Sequence, residues 1–159
     1  MNKQGKKGFT LTELMTVVVI LSIFMGIAAG SYRKAAERSH FAEGLTAAHA
    51  VMGAVERYHD NYPDTTQPTF EKLDITLAHQ KNCQTATDYC KKIKYFEVTV
   101  NNGSVQAKRL GNKYTITVYP ETFGANRFAE DTCSQSGGKT DFCVSVGYTA
   151  CTSGTCKQP

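Results

Sequence analysis

The residues able to carry chemistry are six cysteines, four histidines and 14 acidic side chains in 159 residues. Cys83, Cys90, Cys133, Cys143, Cys151 and Cys156 all lie in the second half of the chain. None falls in a C-x-x-C pair, which argues against a thioredoxin-like redox centre or a zinc ribbon. An even number of cysteines beyond an apolar segment points to disulfides in an oxidising compartment. The sequence itself does not choose among the pairings. The expectation is sequential: Cys83–Cys90, Cys133–Cys143 and Cys151–Cys156, each flanking a short polar loop, with Ser153-Gly154 supplying a turn. Each would constrain the unfolded chain by about 2–3 kcal/mol. His40, His49 and His59 are spaced nine and ten residues apart, which on a helix is about 13–15 Å and too far to share an ion. With His79 they read as solvated or core-edge side chains. Glu130-Asp131 lacks calcium-loop spacing. Asn102-Gly103-Ser104 matches a glycosylation sequon, but turn chemistry explains it more simply. There is no H-E-x-x-H, phosphate loop or G-x-S-x-G. The expectation is a protein that is not an enzyme and holds no metal or cofactor.

The elements that must position these residues begin with a membrane segment. The net charge is +4, from 18 basic and 14 acidic side chains. Lys3, Lys6 and Lys7 supply most of that excess, so the remainder is nearly neutral. Lys91, Lys92 and Lys94 form a small cluster read as a solvated strand entry, and nucleic-acid binding has no further support. Leu14 to Tyr32 is 19 residues without a formal charge. As a helix it spans about 28 Å, close to a bilayer's hydrocarbon core. The preceding lysines place the N-terminus in the cytoplasm, although Arg33 and Lys34 on the far side weaken the asymmetry. A cleaved signal peptide ending near Ala28-Ala29-Gly30 and a plain single-span anchor both compete with a third reading, which depends on the flank.

The flank is Lys6-Lys7-Gly8-Phe9-Thr10-Leu11-Thr12-Glu13-Leu14. A carboxylate at the start of an apolar stretch is costly unless it stays at headgroup level or finds a cation. This run, followed by the apolar segment, resembles the class III signal of type IV pilins and type II secretion pseudopilins. The resemblance implies a cut after Gly8 by a prepilin peptidase and methylation of the new Phe9 amine. It implies that the apolar segment stays in the mature protein. It also implies that Glu13, fifth after the cut, pairs with the Phe9 amine of a neighbouring subunit during assembly. Many pilins carry a proline midway along this helix; Gly30 stands there in this chain, with Gly26 one turn before. Two glycines make a weak point where the helix is expected to loosen on packing, or small residues that let helices approach closely.

The helical pattern continues past the apolar run. Phe41, Leu45, Ala48, Met52, Val55, His59 and Tyr62 recur at spacings of four and three, an apolar stripe that Pro63 ends. Gly44 and Gly53 count against perfect regularity. A helix from Thr10 to Asn61 is expected, followed by a loop and a short helix or turn over Glu71 to His79. Phe96 to Val100, Val105 to Leu110 and Tyr114 to Tyr119 alternate like strands of an antiparallel meander, turning at Asn101-Asn102-Gly103 and Gly111-Asn112. A fourth strand is expected at Phe142 to Tyr148. The fold class is α+β: a long N-terminal helix, transmembrane then amphipathic, packed on a small antiparallel sheet with a disulfide-stapled C-terminal region. The expected organisation is a leader over 1–8, a membrane and filament-core helix over 9–32, an amphipathic half over 33–62 and a globular head over 63–159.

The resemblance implies a structural subunit of a bacterial filament serving adhesion, motility or DNA uptake. The subunit would sit in the inner membrane before assembly and at the cell surface afterwards. Its partners would be copies of itself, the peptidase, an inner-membrane platform protein and, indirectly, an assembly ATPase. A type II secretion pseudopilin and a monomeric, membrane-anchored exported binding module are the rival readings.

Overall fold

In a computed structural model the described residues are 8–64, 67–85, 88–120 and 131–159. The chain divides into two units, the first ending at Ser39 and the second running from His40 to Pro159. Helix α1, Leu11–Asn61, contributes residues to both.

In the first unit every residue from Gly8 to Ala35 is exposed. The helix is long and apolar enough to cross a membrane. Two of its hydroxyl side chains bond back to the helix backbone. Thr16 Oγ1 donates to the Thr12 carbonyl at 2.6 Å and Ser22 Oγ to the Val19 carbonyl at 2.7 Å. These bonds satisfy hydroxyls that would otherwise burden an apolar surface. The helix runs unbroken through Gly26 and Gly30.

In the second unit α1 packs one face against a sheet. The buried positions are Phe41, Gly44, Ala48, Val51, Met52, Ala54 and Val55. The stripe is therefore wider than the four-and-three reading, and Tyr62 lies off it, exposed and stacked on Tyr58 at 4.8 Å. Gly44 is the seat of the helix on the sheet. A Cβ there would lie 2.5 Å from the Phe96 ring, so only glycine lets that ring reach the helix backbone. What reads in sequence as a helix defect is a packing requirement. After Asn61 the helix stops because Pro63 cannot donate to it.

Among the described residues eight strands form one antiparallel sheet in the order β1-β2-β3-β4-β5-β6-β8-β7. They are β1 Lys81–Asn82, β2 Cys90–Lys92, β3 Phe96–Asn101, β4 Ser104–Arg109, β5 Tyr114–Val118, β6 Thr132–Gln135, β7 Ala150–Thr152 and β8 Thr155–Lys157. The central meander β3-β4-β5 pairs Val98 with Ala107 and Ala107 with Ile116. This register puts Phe96, Val98, Val100, Val105, Ala107, Ile116 and Val118 into the core. Residues one step away, such as Gln106 and Lys108, face out, as the period of two demands.

Two expectations need correction. The sheet is wider than a three-stranded meander, because several two- to four-residue strands are too short to carry an alternation signal. Phe142 to Tyr148 is not a strand: Asp141–Ser145 forms the short helix α2, with Cys143 buried, and the strand beside β5 is β6. Over Glu71 to His79, where a short helix or turn was expected, the chain makes turns: a single 3₁₀ turn at Phe70–Lys72 and a further turn at Ala78–His79.

All six cysteines are bonded: Cys83–Cys90, Cys133–Cys143 and Cys151–Cys156. The first ties the loop before β2 to that strand. The second ties β6 to α2. The third crosses the β7–β8 hairpin, where Cys151 and Cys156 are directly opposite. Gly154 in that hairpin turn has φ +83, and a Cβ on it would lie 2.7 Å from Gly138 Cα.

Candidate functional site

The start of α1 is built as a reciprocal cap. Thr10 stands just before the first helical residue. Its backbone N–H and hydroxyl both donate to Glu13 Oε2, at 2.9 and 2.6 Å. The Glu13 N–H donates in return to Thr10 Oγ1 at 3.3 Å. This is a capping box, in which a hydroxyl and a carboxylate three residues apart satisfy free backbone donors at a helix start. The Thr10-x-x-Glu13 spacing was the signal for it. Within a single chain Glu13 therefore has partners, and its charge sits at the favourable end of the helix dipole. Phe9 is 91% exposed and Gly8 is exposed beside it. Lys3, Lys6 and Lys7 lie outside the described residues. Beyond the cap, Leu14, Val17, Leu21, Phe24 and the rest of the run to Ile27 are exposed, an apolar surface that this chain itself does not cover.

The head carries a different set of polar groups. His49 Nε2 lies 2.7 Å from Asp131 Oδ2; the histidine side chain is 51% exposed and the aspartate 6%. This pair joins α1 to the start of β6. The two residues stand 82 positions apart along the chain, so no local sequence pattern links them. Burial, with the nearby Asp131 charge adding to it, pushes the Tyr148 hydroxyl up to about 12. Arg57 Nε and Nη2 donate to the two carboxylate oxygens of Asp74 at 2.9 and 2.8 Å. Those bonds hold the Asp74 carboxyl below its ordinary range and the Arg57 guanidinium above its own.

The lysine cluster is dispersed among local contacts. Lys91 Nζ donates to Asn82 Oδ1 at 2.7 Å. Lys94 lies 4.8 Å from the centre of the Tyr95 ring, which Arg109 and His40 also approach, at 5.1 and 3.9 Å. Among the described residues no group of three or more His, Cys, Asp or Glu side chains could hold a metal ion.

A capped, uncovered apolar helix precedes in sequence a disulfide-held α+β head, an arrangement that fits membrane anchoring. Residues 3–29 match the family described as the prokaryotic N-terminal methylation motif. A fimbrial protein, EcpC of Eikenella corrodens, is 41% identical over 61 residues, covering 38% of this chain and 40% of the relative. The match thus spans about two fifths of that relative's length. No solved structure gives a significant match. The chain thus carries this N-terminal signal and is similar, over part of its length, to a fimbrial protein.

Proposed function

We propose that the chain is a filament subunit, cut between Gly8 and Phe9 by a prepilin peptidase and methylated on the Phe9 amine. The observation that carries this reading is the uncovered apolar helix that begins at a carboxylate. Before assembly the helix lies in the inner membrane, with its N-terminus cytoplasmic and its cysteines in the oxidising compartment. During assembly helices leave the lipid and bundle with copies of themselves. Lipid tails and neighbouring helices are similarly apolar, so the transfer costs little. An inner-membrane platform protein and, through it, an extension ATPase drive that transfer.

Cleavage changes what Glu13 faces. The new Phe9 amine is a cation four residues from the carboxylate. In a bundle, the amine of a neighbouring subunit gives Glu13 a full positive charge in addition to its capping bonds. Burying both charges is tolerable only as a pair; removing one leaves the other desolvated and alone. Glu13→Ala is therefore expected to abolish filaments while leaving the head folded.

The test is intact-mass analysis of the chain made with and without a prepilin peptidase. The expected product lacks Met1 to Gly8, gains one methyl group on Phe9 and lacks six hydrogens, two for each of the three disulfides. A full-length chain despite an active peptidase would leave a plain anchored module. Cleavage near Ala29 would make the segment an ordinary signal peptide. Filaments seen by electron microscopy separate a polymerising subunit from a monomeric one.

A further inference from the structure

The four cysteines nearest the C-terminus share one neighbourhood. Cys133 on β6 is the direct cross-strand partner of Cys156 on β8, and Cys156 is the direct partner of Cys151 on β7. Residues opposite one another across antiparallel strands point to the same face, with Cβ atoms about 4.5–5.5 Å apart. Cys143 reaches the same spot from α2, bonded to Cys133. The row therefore holds two disulfides and one unbonded cysteine pair, Cys133 and Cys156, already in register.

Exposure differs sharply among the six. Cys83 and Cys90 are 6% and 5% exposed, and Cys133, Cys143 and Cys156 are 0%. Cys151 alone is exposed. A thiolate must reach a disulfide sulfur to exchange with it, so access decides which bond opens first.

We propose that Cys151 is a thiol-exchange and S-thiolation site, and that its opening re-pairs the C-terminal region as Cys133–Cys156. An external thiolate, either a small thiol or the reduced cysteine of an exported oxidoreductase, attacks Cys151 Sγ. The Cys151–Cys156 bond breaks, its electron pair leaves on Cys156, and Cys151 becomes a mixed disulfide with the attacker. The Cys156 thiolate then attacks Cys133 Sγ. The Cys133–Cys143 bond breaks, Cys133–Cys156 forms, and Cys143 leaves as a thiolate that takes a proton from water. Two sulfur–sulfur bonds exist before and after, so the sequence needs no oxidant. Its consequence is release of α2 from β6, while the three strands β6, β8 and β7 keep their hydrogen bonds. This path does not depend on the filament reading.

The experiment uses the full chain in detergent micelles with reduced glutathione, quenched at intervals with iodoacetamide and mapped by mass spectrometry of peptides. Glutathione is expected on Cys151 first, in at least about tenfold preference over any other cysteine. A Cys133–Cys156 cross-link with alkylated Cys143 then follows. A C143S/C151S variant keeps Cys133 and Cys156 as the sole pair in this region and is expected to oxidise to that bond. First attack on Cys83 or Cys90 overturns the assignment of the site. Glutathione on Cys151 without any Cys133–Cys156 product overturns the re-pairing. The wild-type time course decides both points even where the double variant does not fold.

Discussion

Phe24 and Phe96 are the same side chain in two settings. Phe24 is 64% exposed on the first unit, and Phe96 is fully buried in the second, its ring against Gly44. The second unit satisfies its apolar residues internally, through a helix face, a sheet face and three disulfides. The first unit satisfies its backbone internally but leaves the large apolar side chains of its run, Leu14 to Ile27, exposed. A buried side chain of this size stabilises by about 1.5–3 kcal/mol. The first unit therefore holds its stabilisation in reserve for whatever covers it, whereas the head has already realised its own.

The sharpest break of this comparison is a pair of matched truncations. Phe96→Ala removes a ring from a filled core and is expected to cost the head about 3–5 kcal/mol. Phe24→Ala is expected to leave head unfolding unchanged. Urea unfolding of the full chain in micelles, followed by the near-ultraviolet tyrosine signal, reads both. Equal effects would mean that the two regions do not differ as described. A second probe belongs to the head alone. The Tyr148 hydroxyl, pushed up to about 12, favours its neutral form in the folded state. Its contribution is fully present below the ordinary tyrosine value near 10 and is lost as pH rises through about 12. A phenolate absorbance titration should show Tyr148 ionising late, near 12. Asp131→Asn should bring it down somewhat, and burial should keep it above the ordinary value.

The same contrast governs what the sequence disclosed. The apolar run and its motif are local, so the long helix and its N-terminal signal were legible, apart from the Thr10–Glu13 cap. The meander was legible because Phe96, Val98 and Val100 alternate with polar residues over a full strand and Asn102-Gly103 marks its turn. The outer strands were not, since Lys81–Asn82 and Ala150–Thr152, at two and three residues, are too short to repeat the strand alternation. Phe142, Val144 and Val146 alternate like a strand, yet Cys143 is bonded to β6 and the segment coils into α2. The His49–Asp131 pair was hidden by distance along the chain. Gly44 was visible as a residue, but its meaning required knowing that Phe96 lies against it.

On the first unit the largest internal effect available is the cap. Thr10→Ala removes the hydroxyl that both donates to Glu13 and accepts from its N–H. Loss of such a cap typically costs about 1 kcal/mol. The expected result is faster amide hydrogen exchange over the first helical turn, with exchange in the head unaltered. Thr10→Ser should restore protection. Unchanged exchange in the alanine variant would show that the helix start is held by something other than this box.

The smallest effect tests the boundary of the argument, because it concerns a head interaction as exposed as the first unit's side chains. Arg57 and Asp74 make two well-formed hydrogen bonds, yet both side chains are more than half exposed. Water competes for such groups and salt screens them, so Asp74→Asn should barely move the unfolding midpoint at neutral pH. The acid limb should reveal it. The Asp74 carboxyl is held below its ordinary value by the Arg57 bonds. Its contribution is therefore present above the ordinary aspartate range near 4 and is lost as pH falls through the lower folded value. The wild-type and Asp74→Asn chains should differ most above that range and converge below it, with the difference shrinking in high salt. Curves that stay parallel through the acid limb would mean that the pair contributes nothing to the fold. The head's stability would then lie wholly in its core and its disulfides.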